Sequence, residues 1–185
     1  YETKTTEDIR NLAGKGASVM IGRSIWGQAK KEFSKVIDEK IKKQMVKEFI
    51  DYYGKNIAIE SKLIKGAKKF LDWSKKNNIQ MGICTNKQEH LAINLLKEIK
   101  IYDYFEYVAG SNTFDYCKPD PRHLTNVIEI MQGDIKKSIM IGDSETDAES
   151  AKAAKIPFIL VEDGYTDKKV SDIYHDYLIK DFYGI

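Results

Sequence analysis

The sequence predicts an α/β protein, a doubly wound parallel sheet (Rossmann-like) joined to a small all-α unit. Three observations predict it. From residue 58 onward, short apolar runs alternate with amphipathic helical stretches, as βαβ units require. Residues 5–57 carry helical periodicity and no strand pattern. One apolar run, Ile139-Met140-Ile141, stops at Gly142 and is followed by Asp143 and Asp147. Acidic residues then stand where a strand hands over to a helix, at the sheet edge where open parallel folds bind ligands.

In chain order, Thr5 or Thr6 can cap a first helix with Glu7 and Asp8 in its first turn. Gly14-Lys15-Gly16 interrupts it, and a second helical segment starts at Ala17, weakened by Gly22 and Gly27. Ile37, Ile41, Met45, Val46, Phe49, Ile50 and Tyr53 recur at helical spacing, and Gly54 is expected to end that helix. Leu63-Ile64-Lys65-Gly66 reads as a turn into a helix bearing Ala67, Phe70 and Leu71, broken at Asn77-Asn78. Ile79 to Cys84 reads as a strand, followed by Thr85-Asn86 and a helix from about Gln88 to Ile99 with Leu91, Leu95 and Ile99. Tyr104 to Ala109 is a second strand candidate. Asp120 and Pro121 open a helix with a Leu124, Val127, Ile128, Met131 stripe, closed by Gly133. After the Ile139 strand, Ala148, Ala151 and Ala154 allow a helix to pack closely on a sheet, and Ile156 to Val161 reads as the last clear strand.

Composition excludes several classes. Apolar residues make up 42% of the 185, enough for a core and against disorder. Thirty basic residues meet 28 acidic ones, and the lysines are scattered among acids, so no nucleic-acid partner is expected. No apolar run approaches the roughly 18 residues of a membrane span, so no membrane association is expected. Cys84 and Cys117 lie outside any CxxC pattern, and a cytoplasmic setting is the expectation. Tyr1-Glu2-Thr3-Lys4 is not a signal peptide.

Three polar clusters stand at element ends: Thr85-Asn86, Lys118, and Asp143 with Asp147. A hydroxyl and helix N-terminal amides can donate to phosphate oxygens, and a lysine adds a point charge. Carboxylates are hard oxygen ligands of the kind Mg²⁺ takes. Each cluster alone has a plain structural reading. Thr-Asn after a strand is a common turn, Lys before Pro-Asp-Pro is a surface loop, and acids at a helix start favour the macrodipole. Their order and placement together point to phosphate chemistry. His90, His123 and His175 share no ligand spacing and read as structural, as do Trp26, Trp73 and the tyrosines.

The pattern resembles the haloacid dehalogenase-like phosphatase family. Ile83-Cys84-Thr85-Asn86 is similar to its second motif, Lys118-Pro119-Asp120-Pro121 to its third, and Gly142-Asp143-Ser144-Glu145-Thr146-Asp147 to its fourth. The chain is most similar to the phosphoglycolate phosphatase branch. The resemblance implies a helical cap domain over residues 5–57, with a Gly-x-Gly element helping to close it, and a core over 58–185. It implies a Mg²⁺-dependent phosphomonoester hydrolase acting on a small phosphorylated metabolite, 2-phosphoglycolate, through an aspartyl phosphate. It implies Thr85, Asn86 and Lys118 as phosphate-binding residues, Lys118 as catalytic, and Asp143 and Asp147 as metal-binding. A monomer or homodimer is expected.

The family's first motif, a strand ending in Asp-x-Asp-Gly, is absent from the given residues. The nearest run, Phe158 to Tyr165, has Val161 at the nucleophile position and follows the fourth motif, so it reads as a late strand and turn. The nucleophile is therefore expected upstream of Tyr1, and residues 1–185 alone are expected to be inactive. The alternatives are a catalytically inactive remnant, or a phosphate-binding or scaffold protein of the same fold. A receiver-like signalling module shares the sheet type, but the helical segment and Thr85-Asn86 fit it poorly.

Overall fold

A computed structural model describes residues 5, 16–26, 39–162, 164, 166 and 168–184. The expected first helix with Glu7 and Asp8, and the positions of Gly14, Lys15, Gly27 and Ile37, lie outside the described residues. Within them the helical start and the alternating core are both present. Helices α1 (Ala17–Trp26) and α2 (Glu39–Lys55) come first, and no strand lies among their described residues. The core then runs α3 (Ala67–Lys76), β1 (Gly82–Cys84), α4 (Glu89–Glu98), β2 (Tyr107–Ala109), α5 (Arg122–Ile130), β3 (Met140–Gly142), α6 (Glu145–Ala154), β4 (Phe158–Val161) and β5 (Tyr177–Ile179). No described helix is long and apolar enough to cross a membrane.

Every strand pairing is parallel, as the helix-strand alternation predicts. The strands form two groups. β1 pairs with β2, with Cys84 opposite Ala109. β4 pairs with β3 on one side and β5 on the other. β1 and β3 are not hydrogen-bonded to each other. One apolar cluster lies under the larger group, built from Leu124, Ala148, Ala151, Ile156, Phe158, Leu160 and Ile173. Cys84 packs against it, so β1 and the β3–β5 group share a core. A second cluster, around Leu71, Ala92, Leu96, Ile101 and Val108, holds α3 and α4 on the β1–β2 pair.

Several boundaries differ from the sequence expectation, each for a local reason. Gly54 lies inside α2, which continues to Lys55. Asn78 takes a left-handed conformation (φ 55°), and the Ile79 N–H bonds back to the Ser74 carbonyl. Ile79 is thereby spent on closing α3, and β1 begins only at Gly82. Ile156 likewise donates to the Ala151 carbonyl after left-handed Lys155, so β4 starts at Phe158. Tyr104 belongs to a 3₁₀ turn, and β2 is confined to Tyr107–Ala109. The buried face of α4 is Leu91, Ala92 and Leu96, with the expected Ile99 packed against the same cluster. β5 was not expected at all.

Candidate active site

The sequence-selected residues meet at the carboxyl ends of β1 and β3. The Thr85 N–H donates to Ala109 of β2 at 2.9 Å. The Cys84 carbonyl belongs to the same trans peptide group as the Thr85 N–H and points the opposite way, so it faces the edge away from β2. There the Lys118 ammonium donates to it. The same ammonium pairs with Asp147 Oδ1 at 2.6 Å, in the first turn after β3. Lys118 is 7% exposed, so this is a buried pair and not a surface salt bridge. Asn86 Nδ2 donates to the Lys118 carbonyl at 2.9 Å, which ties the second cluster to the third. Thr85 Oγ1 accepts the Lys87 N–H at 3.1 Å, making the tight turn after β1. The Lys118-Pro119 peptide bond is cis.

Asp143 and Asp147 have different surroundings. Asp147 is 4% exposed, and both its oxygens have protein donors. Oδ1 takes Lys118; Oδ2 takes the Asp143 N–H at 3.1 Å, the Ser144 N–H at 3.1 Å and the Ser144 hydroxyl at 2.7 Å. Ser144 in return accepts the Asp147 N–H, completing a capping box at the start of α6. Gly142 is required for this approach. A Cβ there would stand 2.6 Å from the Asp147 side chain. Asp147 is thus the brace of the loop and of Lys118. Asp143 is half-buried and one residue beyond β3.

The Ser-x-x-Asp capping box was readable in the sequence but masked by the metal reading of the same aspartate. His123 was set aside for want of ligand spacing, yet it lies fully buried against the Lys118 backbone. A signal existed in its place one turn into the helix that follows the lysine. Pro121 stands at the cap position of α5, and Asp120, one residue ahead of the expected register, accepts the Arg122 N–H on Oδ1 at 2.9 Å. The Arg122 guanidinium and backbone N–H hold the Asp120 carboxyl down at about 2. Burial pushes the Cys84 thiol up to about 12, opposed by the Lys118 charge. Cys84 packs against the apolar cluster beneath the β3–β5 group, which is the source of that burial.

The helical segment touches this edge. Gly16 is left-handed (φ 86°) just before α1, and a Cβ there would lie 3.2 Å from the Asn86 carbonyl oxygen. The Lys87 ammonium donates to the Tyr53 hydroxyl of α2 and sits 4.2 Å from the ring centroid.

Mg²⁺ keeps several waters and is held through one or two carboxylates with substrate phosphate. Asp143 and Asp147 at this edge are oxygen donors of that kind, and Asp147 also accepts from Lys118 and Ser144. Among the described residues no group of three or more His, Cys, Asp and Glu could enclose a metal by itself.

Comparison with known proteins adds three findings. Residues 1–161 match the haloacid dehalogenase-like hydrolase family. A phosphoglycolate phosphatase of Mesorhizobium japonicum is 35% identical over 174 residues, 94% of this chain and 74% of that protein. One of Agrobacterium fabrum is 36% identical over 178 residues, 96% and 74% respectively. Among solved structures, a predicted phosphoglycolate phosphatase of Haemophilus somnus superposes with a TM-score of 0.87 at 24% identity, covering 97% of this chain and 80% of that one. CbbY from Rhodobacter sphaeroides, in complex with phosphate, superposes at 0.74 with 17% identity, covering 98% and 80%. At these identities the structures speak for the fold.

Proposed function

The chain belongs to the haloacid dehalogenase-like hydrolase family, and on that premise we propose a Mg²⁺-dependent phosphomonoesterase whose substrate is 2-phosphoglycolate. Its relatives are named phosphoglycolate phosphatases, which supports the substrate. The observation that carries the reading is the buried Lys118 ammonium, shared by the Cys84 carbonyl and Asp147. A cation held there, beside a hydroxyl and at the start of a capped helix, suits a phosphate and few other groups.

The attacking group in this reading is an Asp carboxylate on a strand between β1 and β3, whose facing edges have no partner among the described strands. Unpaired strand edges are costly when buried, which supports an occupant there. Its oxygen attacks phosphorus, the phosphorus–oxygen ester bond breaks, and the glycolate oxygen leaves with a proton. That proton comes from the second, acid/base Asp of the same Asp-x-Asp-Gly motif, which takes a proton back from the attacking water. Water then attacks the phosphorus of the aspartyl phosphate, releasing inorganic phosphate and restoring the carboxylate.

Thr85 donates its hydroxyl to a phosphoryl oxygen. Asn86 fixes the lysine loop and borders the phosphate. Lys118 stabilises the charge that builds on the transferring group. Asp143 would hold Mg²⁺, which when bound neutralises charge on the phosphate oxygens. Asp147 keeps Lys118 and the Asp143 backbone in place. Helices α1 and α2, as part of a cap over residues 5–57, close on the site through Gly16 and the Tyr53–Lys87 contact and exclude water.

The test is steady-state turnover by the native protein of 2-phosphoglycolate, glucose 6-phosphate and p-nitrophenyl phosphate, with Mg²⁺ and with excess chelator. The expected result is the highest kcat/KM for 2-phosphoglycolate and loss of activity in chelator. Full activity in chelator would overturn the metal assignment, and a clear preference for another ester would overturn the substrate. Phosphate binding without any turnover would leave a phosphate-holding protein.

A further inference from the structure

His123 is fully buried in the first turn of α5, and both ring nitrogens are engaged. Nδ1 lies 3.2 Å from the Lys118 backbone nitrogen, whose N–H can only donate. Nε2 lies 3.1 Å from the Gly110 carbonyl oxygen, which can only accept. Those two partners fix a neutral ring with its proton on Nε2. Burial, and then the nearby Lys118 charge, hold the imidazole below its ordinary range, in keeping with a neutral ring.

The far end of this link is itself anchored. The Gly110 N–H donates to Thr113 Oγ1 at 2.8 Å, and the Thr113 hydroxyl donates to the Glu89 carboxylate. The Glu89 N–H donates to Asn112 Oδ1 at 2.9 Å. Gly110 sits so close to α4 that a Cβ on it would stand 2.1 Å from the Glu89 nitrogen. The ring also packs edge-on to Phe114, with centroids 5.8 Å apart. His123 therefore ties the lysine loop to the start of α4, the helix that follows Thr85-Asn86.

A lysine ammonium rides on a flexible four-carbon stem, so its placement depends on a fixed backbone. At Lys118 the carbonyl is held by Asn86 and the N–H by His123. The geometry points to His123 as the positioning residue of Lys118: by accepting the Lys118 N–H it fixes the backbone from which the ammonium reaches the phosphate. This rests on the reading of Lys118 given above.

The experiment combines kinetics with amide exchange on the native protein. kcat and KM for 2-phosphoglycolate with Mg²⁺ are measured for the parent, His123→Leu, His123→Asn, Lys118→Ala, and Lys118→Ala with His123→Leu. Asn keeps an acceptor at the position of Nδ1, whereas Leu keeps only bulk. The expected result is a kcat about tenfold lower for His123→Leu, the size of one lost hydrogen bond's worth of positioning. KM should change little, and His123→Asn should recover most of the loss. With Lys118 already replaced, His123→Leu should change kcat by less than about twofold, because the two act as a unit. The Lys118 amide should exchange slowly in the parent and in His123→Asn, and fast in His123→Leu.

An equal kcat loss with and without Lys118 would overturn the inference, as would an unchanged kcat once the Lys118 amide is unprotected. If His123→Leu does not fold, the ¹⁵N signals of the parent ring decide. A neutral Nε2–H ring beside a protected Lys118 amide, with rescue in His123→Asn, supports the inference. An Nδ1–H or cationic ring overturns it. If the parent turns nothing over, the functional reading falls separately, and the ring and amide signals alone judge the link.

Discussion

β3 and β4 run side by side with similar apolar sequences, Met140-Ile141-Gly142 against Phe158-Ile159-Leu160-Val161. β4 is paired on both edges and buried along all four residues, with Phe158 and Leu160 among the most enclosed side chains. Among the described strands β3 is paired on one edge; it is half-buried throughout and ends in Gly142 against Asp147. β1 resembles β3, being paired with β2 alone among the described strands and partly exposed. The difference separates two tasks within one sheet type. β4 supplies cohesion, while β1 and β3, less buried along their length, carry the polar groups at their carboxyl ends. Substitutions should therefore sort by strand: those around β4 should lower stability, and those at the ends of β1 and β3 should lower turnover.

The largest effect should come from Lys118→Ala. A charge-assisted contact contributes on the order of 1.5–3 kcal/mol, so kcat should fall about ten- to a hundredfold or more. Removing one partner of a buried pair also destabilises, by about 3–5 kcal/mol. Lys118→Met keeps the stem and should show the same kcat loss in a better-folded protein. Parental turnover by Lys118→Met would break the division between the strands.

Next comes Phe158→Ala, expected to lower stability by about 3–5 kcal/mol in urea titration. Ile141→Ala on half-buried β3 should cost clearly less, because less apolar surface is lost from the core. Equal losses would show that β3 carries as much of the fold as β4.

Ser144→Ala removes the α6 cap and should cost about 1 kcal/mol of stability. It also takes one donor from Asp147, so kcat should fall with it. A stability loss without any change in turnover would separate the cap from the site.

The smallest effect concerns Cys84. Its folded pKa, raised to about 12, lies above that of an unfolded thiol. The neutral thiol is thus favoured by folding. That contribution is fully present below about pH 8.5 and is lost as pH rises toward 12. Iodoacetamide at pH 8 should leave Cys84 unmodified in the folded protein and alkylate it in urea, as peptide mapping can show.

Much of this arrangement was legible in the sequence because it rests on local chemistry. The Ile139 run ending in Gly142 and two acids gave β3 and its loop, and Asn77-Asn78 gave the end of α3. The Asp120-Pro121 pair gave the start of α5. What the sequence hid depends on tertiary partners. β5 is three residues long, half-exposed, and lies beside β4 as an edge strand, so Tyr177-Leu178-Ile179 carries too little pattern to be seen. The likeness of Asp143 and Asp147 as carboxylates concealed the surroundings of Asp147, because only the folded loop shows four donors converging on it. The role of His123 was hard to read for the same reason: beyond its place in the helix after the lysine there was no sign of it, because its partners are backbone groups at Lys118 and Gly110.

The central claim is that the ends of β1 and β3, joined through Lys118, form one phosphate site. Titrating inorganic phosphate with Mg²⁺ into the ¹⁵N-labelled native protein tests it most directly. The amide signals of Thr85, Asn86, Lys118, Asp143 and Ser144 should shift together along one binding curve, with those of Tyr177–Ile179 on β5 unmoved. Shifts confined to one strand end, or separate curves for the β1 and β3 groups, would contradict it.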